Sequence, residues 1–198
     1  MKLAAALLCL ASVADATPKK KAVPAAIVVL VDRSGSMKGP RLDAVKAATD
    51  AVIDAIEADD AVAVIAFDSE AKLVEPLTKP GKDRTPMHAA VDKIDAGGGT
   101  NLLPPLKLAY EQLEGLEGVR KHVILFTDGE APYDGISDVM KQLRDHGDTV
   151  SCVGVGDADR NLLSFIADNG EGRLYMVEDL KSLPKIFIKE LDTVRAGN

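Results

Sequence analysis

The chain has 198 residues, of which 46% are apolar and 28% charged, and its formal net charge is −7. That length suits one sizeable domain, and the mixed composition excludes a disordered tail or a membrane-embedded protein. The acidic balance argues against sequence-independent binding to nucleic acid or anionic lipid, both of which need a basic face. Two cysteines, Cys9 and Cys152, do not build a disulfide framework. No Trp and 4% aromatics disfavour a stacking platform for bases or sugars.

The amino-terminal residues read as a targeting segment. Met1-Lys2 is followed by an apolar run over residues 3–13 and then by Ala14-Asp15-Ala16, the layout of a secretory signal peptide cleaved after Ala16. The run is shorter than the roughly 20 residues a membrane span needs. The expected organisation is a signal peptide over residues 1–16, a solvated leader over 17–24 carrying Lys19-Lys20-Lys21, and one domain over 25–198. The expected location is secreted or periplasmic. Cleavage removes Cys9, whose preceding Leu7-Leu8 does not suit a lipid-modified cysteine, and leaves Cys152 without an internal partner.

Beyond residue 24 the pattern alternates between strands and helices. Continuous apolar runs at residues 25–31, 61–67, 123–126 and 150–155, with a shorter one at 174–177, predict strands covered on both faces, as in a parallel sheet. Leu42, Val45, Thr49, Val52 and Ile56 share one helical face. Leu103, Leu106, Tyr110 and Leu113 share a second, and Ile136, Val139, Met140 and Leu143 a third. Leu183, Ile186, Phe187, Leu191 and Val194 give the last. Residues 72–78 follow the 61–67 strand across the short link Asp68-Ser69-Glu70 and predict an antiparallel edge strand, where Pro76 is tolerated. The order β-α-β-β-α-α-β-α-β-α-β-α makes one doubly wound α/β domain, mostly parallel with one antiparallel edge strand and helices on both faces.

In such sheets ligands bind beyond the carboxyl ends of the strands. Asp32 ends the first strand and leads into Arg33-Ser34-Gly35-Ser36-Met37, and Asp128 ends another in Thr127-Asp128-Gly129. A third polar loop, Gly97-Gly98-Gly99-Thr100-Asn101, precedes the Leu103 helix. Each loop alone is a cap or a turn, but three at one end of a sheet make a candidate site. Its donors are all hard oxygens, with no His or Cys, which suits Mg²⁺, Mn²⁺ or Ca²⁺ rather than zinc.

The segment Asp32-Arg33-Ser34-Gly35-Ser36 resembles the D-x-S-x-S signature of the von Willebrand factor type A domain. Thr100 in its glycine-rich loop and Asp128 in Thr-Asp-Gly resemble the other two parts of that family's metal-ion-dependent adhesion site. The resemblance spans residues 25–195 in matching element order. It implies that Ser34, Ser36 and Thr100 contact the ion through hydroxyls, while Asp32 and Asp128 hold its waters, Asp128 becoming a direct ligand in another state. It also implies a protein partner that completes the shell with a Glu or Asp carboxylate. Read as it stands, the sequence shows no stalk, second domain or membrane anchor after the last helix, and the expected state is a monomer.

Competing motifs are thin. No G-x-x-x-x-G-K-[ST] or G-x-S-x-G is present, and Gly154-Val155-Gly156-Asp157 lacks the third glycine of a dinucleotide loop. His88, His122 and His146 are scattered and read as surface or packing residues, and Asp68 and Glu70 as a solvated hairpin turn. The alternative function is Mg²⁺-dependent phosphoryl transfer with Asp32 as nucleophile. Ser34 then stands where a haloacid-dehalogenase-like enzyme needs a second Asp as general acid. The residues therefore favour a binding module without catalysis.

Overall fold

The computed structural model describes residues 23–197. The expected signal peptide, most of the leader and Cys9 lie outside them. Six strands form one sheet: β1 (Ala25–Asp32), β2 (Ala61–Phe67), β3 (Ala71–Thr78), β4 (Arg120–Thr127), β5 (Thr149–Val155) and β6 (Glu171–Val177). Among the described residues five α-helices lie between strands, α1 (Pro40–Ala55), α2 (Thr85–Asp92), α3 (Leu103–Leu113), α4 (Ile136–Asp145) and α5 (Arg160–Asn169), and α6 (Leu183–Ala196) follows the last strand. The strand order is β3-β2-β1-β4-β5-β6, parallel except for β3, which pairs antiparallel with β2 through the predicted hairpin.

All eight residues of β1 are buried because the strand is central and covered on both faces. Ile27, Val29 and Val31 enter a core shared with α1, α2 and α6, while Val28 and Leu30 enter the opposite core under α3, α4 and α5. Period-two alternation thus sends one continuous apolar run into two different cores. Cys152 is fully buried in the second of them, as its mid-strand place among apolar residues implies.

Three strands begin earlier than apolarity alone suggests. β4 starts at Arg120, β5 at Thr149 and β6 at Glu171, so their polar first residues join the ladder unseen by a hydrophobic criterion. β6 pairs only with β5, which leaves most of its residues half-buried. Among the described residues no helix is long and apolar enough to cross a membrane.

The histidines divide. His88 bridges Asp50 and Asp54 on the surface of α1, at 2.7 and 3.0 Å. His122 is 1% exposed and faces the fully buried Glu190 of α6 at 3.4 Å. Glu190 also accepts from Ser151 and Tyr175, each at 2.5 Å. A charged residue inside the apolar face of α6 is a feature that helical periodicity does not reveal.

Candidate metal centre

Backbone hydrogen bonds gather the three loops at the carboxyl end of the sheet. Gly35 N–H donates to the Gly98 carbonyl at 3.0 Å and Gly97 N–H to the Arg33 carbonyl at 2.7 Å, tying the loop after β1 to the glycine-rich loop. Asn101 N–H donates to the Asp68 carbonyl at 2.8 Å, which ties the glycine-rich loop to the β2–β3 hairpin. Gly98 takes φ +83°, and a Cβ there would lie 2.8 Å from Asp68 Cγ, so only glycine permits this approach. A 3-10 turn over Gly35–Met37 follows Ser34, and its Met37 is fully buried in the core, anchoring the serine loop from below.

Asp32 is wholly buried. Its Oδ1 accepts from Ser34 N–H at 2.7 Å and its Oδ2 from the Thr127 hydroxyl at 2.5 Å. The strand thus runs one residue past the apolar stretch at 25–31 and buries Asp32 with it, because the neighbouring strands cover that position. Ser34 Oγ and Ser36 Oγ are 3.1 Å apart, and Ser36 Oγ donates to Asp128 Oδ1 at 2.7 Å. Thr100 comes in from the second loop with its hydroxyl against Gly129, 3.1 Å from where a Cβ would sit. Asp32, Ser34, Ser36 and Asp128 thus form one connected polar cluster, and Thr100 borders it beside the residue after Asp128.

Asp68 differs from the solvated turn expected of it. It is 9% exposed, its Oδ2 accepts from Arg33 at 2.5 Å, and its Oδ1 receives Glu70 N–H at 3.0 Å. Arg33 also donates to the Asp95 carbonyl at 3.1 Å, so the residue between Asp32 and Ser34 braces two neighbouring loops. Arg41, in the first turn of α1, donates to Asp128 Oδ2 at 2.5 Å. The sequence pattern does not single out Thr127, Arg33 or Arg41, and it places Asp68 in a solvated turn. The signal for Thr127 was its hydroxyl at a strand end next to Asp128; the others are brought in only by the fold.

The arrangement fits a hard divalent cation. Burial pushes the Asp32 carboxyl above the usual carboxylate range, against the hydrogen bonds from Thr127 and Ser34, and the nearby Asp128 charge adds to the rise. No cationic side chain pairs with Asp32 among the described residues, so the cluster has a buried carboxylate without a counter-charge. In an octahedral shell with ion–oxygen distances of about 2.1 Å, adjacent oxygens stand about 3 Å apart. The two serine hydroxyls already have that separation. Among the described residues no three His, Cys, Asp or Glu side chains form a metal-binding group. A divalent ion held here would therefore need hydroxyl donors beside the carboxylates.

The von Willebrand factor type A domain matches this chain over residues 26–189. The chain belongs to that family. An uncharacterized protein of Synechocystis sp. is 33% identical to it over 176 residues, covering 86% of this chain and 41% of the relative. A solved von Willebrand factor type A (VWA) structure from Catenulispora acidiphila aligns with a TM-score of 0.80 at 28% identity, covering 87% of this chain and 43% of the other. The chain therefore spans about two fifths of the length of these relatives. Proximal thread matrix protein 1 from the mussel byssus, described with a zinc-occupied MIDAS motif, shares the fold with a TM-score of 0.73 at 24% identity, covering 89% of this VWA chain and 46% of its own.

Proposed function

We propose that this VWA domain is a secreted or periplasmic binding module that captures an acidic group of a protein partner through a divalent cation. The observation that carries the reading is the run of polar contacts at one end of the sheet, from the Ser34 hydroxyl to the Ser36 hydroxyl and from Ser36 to Asp128, beside the buried Asp32. Ser34, Ser36 and Thr100 would hold the ion by their hydroxyl oxygens, and Asp32 and Asp128 through its waters. Mg²⁺ suits this set best, with Mn²⁺ and Ca²⁺ sharing its preference for oxygen. When bound, the ion offers an electrophilic position to a Glu or Asp carboxylate, because neutral hydroxyls leave much of its charge unquenched.

The protein's own contribution is positional. Thr127 and the Ser34 amide lock Asp32, Asp32 in turn orients the serine loop, and the Gly97–Gly98 backbone holds the Thr100 loop against it. The zinc-occupied MIDAS motif described for the mussel protein supports a divalent ion in this chain too. The phosphoryl-transfer alternative has less support, since a nucleophile must present an oxygen to its substrate and Asp32 is wholly buried. The domain acts as a monomer, exported by a signal peptide over residues 1–16, so the intact mass of the exported protein should begin at Thr17.

The deciding experiment is calorimetric titration of the purified protein with Mg²⁺, joined to a pull-down of partners in Mg²⁺ and in chelator. Saturable binding near one ion per chain, with a partner retained only in Mg²⁺, is the expected result. Absence of Mg²⁺, Mn²⁺ and Ca²⁺ binding would overturn the reading.

A further inference from the structure

We infer that Arg41 is a built-in counter-cation of the metal centre, whose hold on Asp128 competes with a divalent ion and sets how tightly the site takes one. The inference rests on the metal-dependent reading above and concerns a residue outside the D-x-S-x-S, Thr and Asp positions.

The geometry places Arg41 in direct competition. Its Nη1 donates to Asp128 Oδ2 at 2.5 Å, while Ser36 holds the other oxygen of the same carboxylate at 2.7 Å. Asp128 is fully buried by its side chain and Arg41 only partly, with 37% of its side chain exposed. The guanidinium therefore reaches in from the rim and has solvent behind it. Its seat is prepared by Gly156, where φ is +58° and a Cβ would fall 2.8 Å from Arg41 Nη2. A side chain at that position would push the arginine away. The guanidinium also borders a cleft of about 440 Å³ lined by Gly154, Gly156, Arg160 and Met176, which gives it room to withdraw.

A cation fixed on Asp128 opposes an incoming ion in two ways. It occupies the carboxylate that would hold the ion's water, and it adds a positive charge a few ångströms from the ion's place. Binding the ion then requires Arg41 to leave Asp128, and the cleft beside Gly156 receives the displaced guanidinium. Metal occupancy and the rim's positive charge are coupled through one side chain.

Three variants test this: Arg41→Gln, Arg41→Lys and, as a charge-matched control on the same cleft, Arg160→Gln. Mg²⁺ affinity is read by calorimetry at low salt, and Tm is read in chelator and in saturating Mg²⁺. Arg41→Gln should bind Mg²⁺ about tenfold more tightly than the parent, as loss of a charge-assisted contact and its repulsion requires. Its Tm should fall in chelator and rise more than the parent's on adding Mg²⁺. Arg41→Lys should lie between, and Arg160→Gln should stay within about twofold of the parent, because its charge does not touch Asp128. Unchanged or weaker Mg²⁺ binding by a folded Arg41→Gln overturns the inference and leaves the metal site standing. An equal gain in Arg160→Gln overturns it too, since general charge would then explain the effect. A parent protein that binds no divalent ion removes the metal reading and this inference together.

Discussion

Thr127 on β4 donates its hydroxyl hydrogen to Asp32 Oδ2 on the neighbouring strand β1, 2.5 Å away and out of contact with solvent. Replacing it by the near-isosteric Val removes the bond and leaves a buried carboxylate short of a donor. Thr127→Val should cost about 1–3 kcal/mol in urea unfolding. Mg²⁺ affinity should drop about 10- to 100-fold, as for the loss of a group that orients a metal site. Both measured at parental values would mean that the bond supports neither the fold nor the ion.

Asp32→Asn separates charge from shape. An acid whose folded pKa is raised destabilises the fold when ionised, so Asn should raise Tm in chelator at neutral pH. That advantage should shrink as pH falls and the parental Asp32 takes up its proton. Mg²⁺ should no longer raise the Tm of the variant. A parental Mg²⁺ response in Asp32→Asn would show that the carboxylate is dispensable to the site.

Gly98→Ala should be costly where Gly97→Ala is not. A Cβ on Gly98 meets the Asp68 side chain at 2.8–2.9 Å and the residue sits at φ +83°, whereas a Cβ on Gly97 meets nothing within 4 Å. Displacing Asp68 also disturbs its pair with Arg33, which braces the serine loop. Gly98→Ala should lose roughly 1–3 kcal/mol of stability and weaken Mg²⁺ binding. Equal unfolding midpoints for the two variants would contradict the close approach.

Glu190 predicts an acid limb of instability far from the metal centre. Burial alone would raise its carboxyl, but the facing His122 ring and hydrogen bonds from Ser151 and Tyr175 outweigh it and pull the pKa from 4.5 to about 2. A depressed acid stabilises the fold above its unfolded value, and that contribution is lost as pH falls from 4.5 through about 2. Glu190→Gln should cost roughly 2–4 kcal/mol at neutral pH and flatten the loss over that window. Chemical denaturation from pH 2 to 7 reads both.

Cys152 is fully buried and burial pushes its thiol up, away from the reactive thiolate. The native protein should resist a thiol reagent that modifies one Cys152 per chain in denaturant. Non-reducing electrophoresis of protein beginning at Thr17 should show a single monomer band, and a disulfide-linked dimer would mean that the strand opens.

The element order, the antiparallel hairpin and the doubly covered strands were legible because each depends on local pattern. Unbroken Val and Ile runs mark strands buried on both faces, and a three-residue link between two of them admits little but a hairpin. That Asp32 and Asp128 lie at the same end of the sheet was legible for a related reason: in a doubly wound sheet, loops after parallel strands all emerge at one end. Tertiary structure alone decided what surrounds them. Whether Asp32 is tip or core depends on how far its neighbours in the sheet extend, and Thr127 covers it from 95 positions away. Arg33 to Asp68, Arg41 to Asp128 and His122 to Glu190 are contacts between charged or polar side chains that no periodicity encodes. Apolar pattern records which face is dry, whereas the partner of a polar group is chosen by three-dimensional proximity.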